Sequence, residues 1–411
     1  MGLPGMIYVW ASLAIIVPVW LLQHFVRGRP VGHGQMLALG MLIYVVAPFL
    51  AYQTSAYDDG PGSVLWEAAF ERLASRSELA LWVGGLLTVA YLLGANFPTR
   101  LSASRLDRPF GLRLLQLSWL GLAALWTVYV LLARELLFSG YLIAYRPDLM
   151  GPLANISLAT LLIYLNLEQW QQSPRLRWAY GGLLALNSVV LLSMGGRLYV
   201  AATLVAVFLQ HFNGATGRRP AARLAGLATL FAAVALLALV GLWRMDGEFD
   251  LGAIGTLLLA EPVLTSISLG TLLDCSMIDL VAVPRNFSSS IINFIPSAVL
   301  PNKDELMVEL DPGGNCLASP FGATHLGTSL LVNFGLLGSF VIVFLFALSM
   351  KLLRGRRPGW WLYHYLCSLL PFMLFRDGFL IFNKAFFATG LVLALVLLAL
   401  SGRREVRPLP A

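Results

Sequence analysis

Four cations stand at the borders of apolar runs. Arg197 lies in S-M-G-G-R-L-Y-V at 193–200, and Arg244 follows L-A-L-V-G-L-W. Arg376 sits in M-L-F-R-D-G-F-L at 373–380, and Lys384 is about one helical turn into the next apolar run. Charges at membrane depth are costly, so they line a cavity or pair with one another. Four cations at one level would make a pocket for an anion. Guanidinium forks can each hold two phosphate oxygens. Plainer readings stand beside this one. Arg197 can snorkel to headgroups as an interfacial arginine, and Arg376 can simply pair with its neighbour Asp377.

Of the five histidines, His325 is the one expected on the same side as these cations, in S-P-F-G-A-T-H-L-G-T-S-L-L-V-N-F-G-L-L-G at 319–338. There it could act as a general base, bind a phosphate, or be structural. Cys275 and Cys316 lie in the same long connection, so a disulfide is plausible if that side is oxidising; two thiols are the alternative. No Walker motif, HExxH, GxSxG, Cys/His metal spacing or strict D-x-D occurs, and no metal site or cofactor is expected. The alternating acids D-G-E-F-D at 246–250 read best as a solvated loop, with a metal site as the alternative.

These residues need a scaffold, and composition says which. The chain of 411 residues is 58% hydrophobic and 12% charged, with a mean hydropathy of +0.77. A soluble domain carries about twice that share of charge. Many runs approach the roughly 20 residues that cross a bilayer as a helix. An all-α polytopic membrane protein is expected, with about eleven spans: 6–26, 35–53, 78–98, 114–133, 151–169, 179–195, 198–213, 224–243, 326–350, 359–375 and 380–400. The first run lacks a basic flank and a small-residue cleavage site, so no cleavable signal peptide is expected.

When the connections are sorted alternately, one side holds 18 of the 28 basic residues and three acids, Asp107, Glu168 and Glu405. The other side holds 10 basic and 18 acidic residues. The positive-inside rule makes the first side cytoplasmic, with the N-terminus outside and the C-terminus inside. The net charge of +7 then reflects orientation, not a nucleic-acid partner. Arg197, Arg244, Arg376, Lys384 and His325 all fall outside. The longest connection, about 244–324, also faces out. Its apolar stretch 252–273 is broken by Glu261-Pro262 and reads as one or two helices at the interface or dipping into the protein. The chain thus divides into 1–243 (eight spans), 244–324 (a cap over the outer ends) and 325–411 (three spans and a tail).

This arrangement resembles the bacterial O-antigen polymerases, which join oligosaccharide repeat units, and their relatives the O-antigen ligases. The resemblance rests on S-M-G-G-R-L-Y at 193–199, the long loop 244–324, H-L-G-T-S-L-L-V-N-F-G-L-L-G at 325–338 and F-R-D-G-F at 375–379. It covers about residues 180–385; Gly-Gly-Arg replaces the commoner Ser-x-Ser-Arg. It implies a GT-C-like inner-membrane glycosyltransferase acting on glycans linked to undecaprenyl pyrophosphate. Arg197, Arg244 and Arg376 would stabilise the pyrophosphate, and His325 would serve as base or phosphate donor. Arg285, Tyr199, Glu261, Asp377 and Lys384 are weaker substrate-binding candidates. A chain-length regulator and a flippase are the partners it implies. An O-antigen ligase is the nearest alternative, then a flippase or transporter of anionic lipids, then a scaffold without activity.

Overall fold

The computed structural model describes residues 3–27, 29–53, 76–98, 109–138, 147–214, 228, 251–275, 278–295, 300–308, 310, 323–354 and 360–401. Regular structure among them is helical. In chain order the helices are α1 (Leu3–Val26), α2 (His33–Met41), α3 (Ala47–Gln53), α4 (Ser77–Asn96) and α5 (Leu112–Ala133). Then come α6 (Pro147–Gln169), α7 (Pro174–Met194), α8 (Arg197–Asn213), α9 (Leu251–Asp274), α10 (Arg285–Ser290) and α11 (Lys303–Leu306). The last are α12 (Leu326–Arg354), α13 (Trp360–Ser368), α14 (Gly378–Asn383) and α15 (Ala394–Leu400). Three π-helical stretches join helices: Leu42–Val46, Leu370–Leu374 and Lys384–Leu393.

Among the described residues, eight helices are long and apolar enough to cross a membrane. A helix closes its backbone hydrogen bonds internally, which hydrocarbon requires. Their outward faces carry bare Trp82, Leu117 and Leu131, each more than 60% exposed, a surface suited to lipid. The chain is a multi-pass helical membrane protein. Of the three further spans expected from sequence, 198–213 folds as the 17-residue α8. The run 359–375 is interrupted: α13 ends at Ser368 and π-helical Leu370–Leu374 follows, with Pro371 inside it. The run 224–243 lies outside the described residues apart from residue 228.

Two compact units form from interleaved segments. The first takes Met1–Thr99, Asp250–Leu352 and Leu369–Lys384; the second takes Arg100–Phe249, Leu353–Ser368 and Ala385–Ala411. The described part of the long connection from Leu251 onward belongs to the same unit as the N-terminal helices. In that unit α9 packs against α3, α4 and Leu42–Val46. Val263, Thr265, Ser266, Ser268, Leu269 and Thr271 are buried. Small hydroxyl residues allow this close approach, and their hydroxyls bond back to the helix: Thr265 to the Glu261 carbonyl (2.8 Å) and Thr271 to that of Ile267 (3.0 Å).

Helix α12 is broken within. Gly335 adopts φ 68°, ψ −173°. The freed N–H groups of Leu336 and Leu337 donate to the carbonyls of Asp279 and Leu280 (both 2.9 Å), so the loop after α9 caps the second half of the helix. Just before the break, the Asn333 side chain accepts the Phe287 N–H (2.6 Å) and fixes the start of α10. Phe287, Phe334 and Phe379 then meet edge to face, tying α10, α12 and α14 together.

In the second unit, α6 and α7 lie along each other across a four-residue link that ends in an N-capping Ser173 and Pro174. The Asn187 amide donates to the Leu153 carbonyl (2.9 Å), and the Tyr180 hydroxyl to that of Leu115 (2.8 Å). Helix α7 stops at Gly195, whose φ of 97° closes the last turn, and α8 begins two residues later at Arg197.

Candidate functional site

The first unit gathers four separated stretches into one polar knot. Glu261 comes from α9, Tyr44 from the π-helical stretch before α3, His325 from the start of α12, and Arg376-Asp377 from the turn before α14. Thr324 N–H donates to the Arg376 carbonyl (2.7 Å), and Thr324 and Asp377 form an isolated parallel bridge. Gly378, at φ 57°, lets the turn press on α12: a Cβ there would lie 2.2 Å from Ser329 Oγ. The Phe375 ring stacks on Tyr44 (6.2 Å) and meets His325 edge-on (6.3 Å). The histidine segment and the arginine turn, 50 residues apart in sequence, thus form one structure.

Arg376 is held by two carboxylates. Its Nε pairs with Glu261 and its Nη1 donates to Asp377. Burial works against the guanidinium charge, but Asp377 and Glu261 outweigh it and keep Arg376 firmly protonated. Burial lifts the Asp377 carboxyl above its usual range, and Arg376 offsets part of that rise. With all three ionised the trio carries one net negative charge. A phosphate could bind Arg376 at these edges only by displacing a carboxylate, so the geometry suits a positioning arginine better than an anion receptor. The side chains are graded in exposure, from Glu261 at 30% through Arg376 at 23% to Asp377 at 4%.

His325 is 4% exposed. Its Nδ1 accepts the Gly327 N–H (3.0 Å), which assigns the ring proton to Nε2. Nε2 faces the Tyr44 carbonyl, which already takes the Ser266 hydroxyl (2.9 Å), and makes no well-formed bond of its own. The His325 N–H donates to Ser268 Oγ (2.8 Å). Burial lowers the imidazole to about 4, with the Tyr44 carbonyl offsetting part of the shift. A ring whose lone pair is already bonded is a donor or a structural post, not a base poised for proton abstraction. Sequence reasoning missed Ser266, Ser268 and Tyr44, although the T-S-I-S run in an apolar helix marks unusual packing.

The other expected site residues are placed as follows. Arg197 starts α8 and is half-buried in the second unit; Tyr199 there packs against the cluster of Leu153, Leu191, Met194 and Val200. Arg285 starts α10 and is exposed, and Lys384 opens the last π-helical stretch half-buried. Cys275 follows α9 and its N–H donates to the Thr271 carbonyl (3.1 Å). Arg244 and Cys316 lie outside the described residues, and with them the expected disulfide. Among the described residues no group of three or more His, Cys, Asp and Glu is placed to hold a metal ion. In the second unit His364 sits between Gln210 (2.6 Å at Nδ1) and Asn213 (3.0 Å at Nε2), a satisfied buried histidine. Comparison with protein-family models, with curated proteins and with solved structures finds no match to this chain.

Proposed function

We propose that the protein is a repeat-unit polymerase of the O-antigen type. It would sit in a bacterial inner membrane with about eleven spans in a GT-C-like arrangement, its site facing the periplasm and its C-terminus in the cytoplasm. It would transfer a growing glycan from undecaprenyl pyrophosphate to a terminal hydroxyl of an incoming lipid-linked repeat unit. The reaction needs no nucleotide. Negative charge builds on the departing pyrophosphate, and fixed guanidiniums stabilise it. Direct displacement inverts the anomeric centre. The observation that carries this reading is the knot in which the histidine segment and the arginine turn, two of the motifs behind the resemblance, are hydrogen-bonded to each other. Arg376 is committed to Glu261 and Asp377, and Arg197 and Arg244 remain candidates for the pyrophosphate by the resemblance alone.

The polymerase and the ligase share a leaving group and differ in acceptor. Deletion of the gene in its host separates them. We expect a single repeat unit on lipid A–core, the mark of a lost polymerase; lipid A–core with no repeat unit would instead indicate the ligase.

A flippase or transporter of anionic lipids gains from one observation. Helix α12 is broken at Gly335 and the chain is interrupted again between α13 and α14. Broken helices beside charged residues are how transporters build central sites. Uptake of a lipid-linked glycan into vesicles without elongation would favour it.

A further inference from the structure

Transfer to a hydroxyl needs a group to take its proton. His325 is ill suited, since its Nδ1 already accepts the Gly327 N–H and its ring is 4% exposed. Asp377 is more deeply enclosed than Glu261, at 4% side-chain exposure against 30%. Glu261 is therefore the member of the trio that an incoming hydroxyl can reach. Its place is fixed twice over. Its carboxylate is paired with Arg376, which Asp377 holds from the other side. Its backbone carbonyl receives the Thr265 hydroxyl at 2.8 Å.

Resting on the polymerase reading above, we propose that Glu261 is the general base that takes the proton of the acceptor hydroxyl, with Arg376 and Asp377 as positioning residues that aim it. The acceptor O–H bond breaks and its proton passes to the Glu261 carboxylate. The oxygen's electron pair forms the new bond to the anomeric carbon. The carbon–oxygen bond to pyrophosphate breaks, and its electron pair leaves with undecaprenyl pyrophosphate. Glu261, whose side chain is 30% exposed, then returns its proton to water. The Arg376 pairing keeps the carboxylate in one orientation through the cycle.

The test is the elongation of a lipid-pyrophosphate-linked repeat unit by purified wild type, Glu261→Gln and His325→Asn, followed as kcat and donor KM. Gln keeps an oxygen for Arg376, and Asn keeps an acceptor where Nδ1 stands. General-base removal costs about 10²–10⁴-fold, so Glu261→Gln should lose at least ~100-fold in kcat with donor KM little changed. His325→Asn should lose less than Glu261→Gln does, since no proton passes through its ring. Should Glu261→Gln fail to stay monodisperse in detergent, Glu261→Asp keeps the charge and withdraws the carboxylate by one methylene; it should lower kcat with KM held. Wild-type elongation that survives either Glu261 substitution overturns the inference and leaves the polymerase reading standing. Wild type that elongates nothing overturns both.

Discussion

An Arg376→Leu variant should lose about 3–5 kcal/mol of stability, the cost of removing one partner from a buried ion pair. The loss would be read as a drop in melting temperature in detergent. The reason is local. Asp377 and Glu261 both face the guanidinium, and Asp377 is nearly closed off from solvent. Without Arg376 they become two like charges in a low-dielectric setting. The same logic gives an internal check. Combining Arg376→Leu with Glu261→Gln and Asp377→Asn removes the stranded charges and should recover most of the loss, because neutral groups of similar volume replace buried ion pairs at little net cost. Arg376→Leu within 1 kcal/mol of wild type would mean that the trio is not formed.

Gly335→Ala should be about as damaging, by about 2–6 kcal/mol in all. Gly335 sits at φ 68°, ψ −173°, a region open essentially to glycine alone that costs another residue about 1–3 kcal/mol. The new Cβ would also lie 2.7 Å from the Asp279 carbonyl oxygen and 2.8 Å from the Leu280 carbonyl. Both are backbone atoms and cannot swing aside. Pushing them away breaks the two hydrogen bonds that cap Leu336 and Leu337, and overpacking adds about 1–3 kcal/mol. Gly84→Ala is the control: it lies in α4 with nothing within 4 Å of its Cβ. Alanine there should be neutral or slightly stabilising, by at most about 1 kcal/mol. Equal melting temperatures for the two variants would contradict the broken-helix geometry.

The membrane character of the chain is legible because hydrophobic length is a local property. The runs around 6–26, 114–133 and 380–400 needed only a window of sequence, and the structure returns them within a few residues. The Gly-Gly reversal before Arg197 is equally local. Pairings across sequence are not. Arg376 with Asp377 is visible as adjacent residues, but Glu261 lies on a helix over a hundred residues away and nothing near it names its partner. Helix α9 shows the other limit. Its apolar stretch, broken by Glu261-Pro262, reads equally well as interfacial or as dipping inward. Only the burial of Thr265, Ser266 and Ser268 puts it in the core. The role of His325 turns on the Gly327 N–H two residues on. That contact is short-range, but it depends on the turn into α12, which composition does not reveal.

The most direct test of the polymerase reading is elongation by purified protein in EDTA. Wild type and Arg197→Ala would be given a lipid-pyrophosphate-linked repeat unit, and the products sized by gel and mass spectrometry. We predict a ladder of whole multiples from wild type that Arg197→Ala fails to make. Absence of any ladder from wild type, even with divalent metal restored, would contradict the reading.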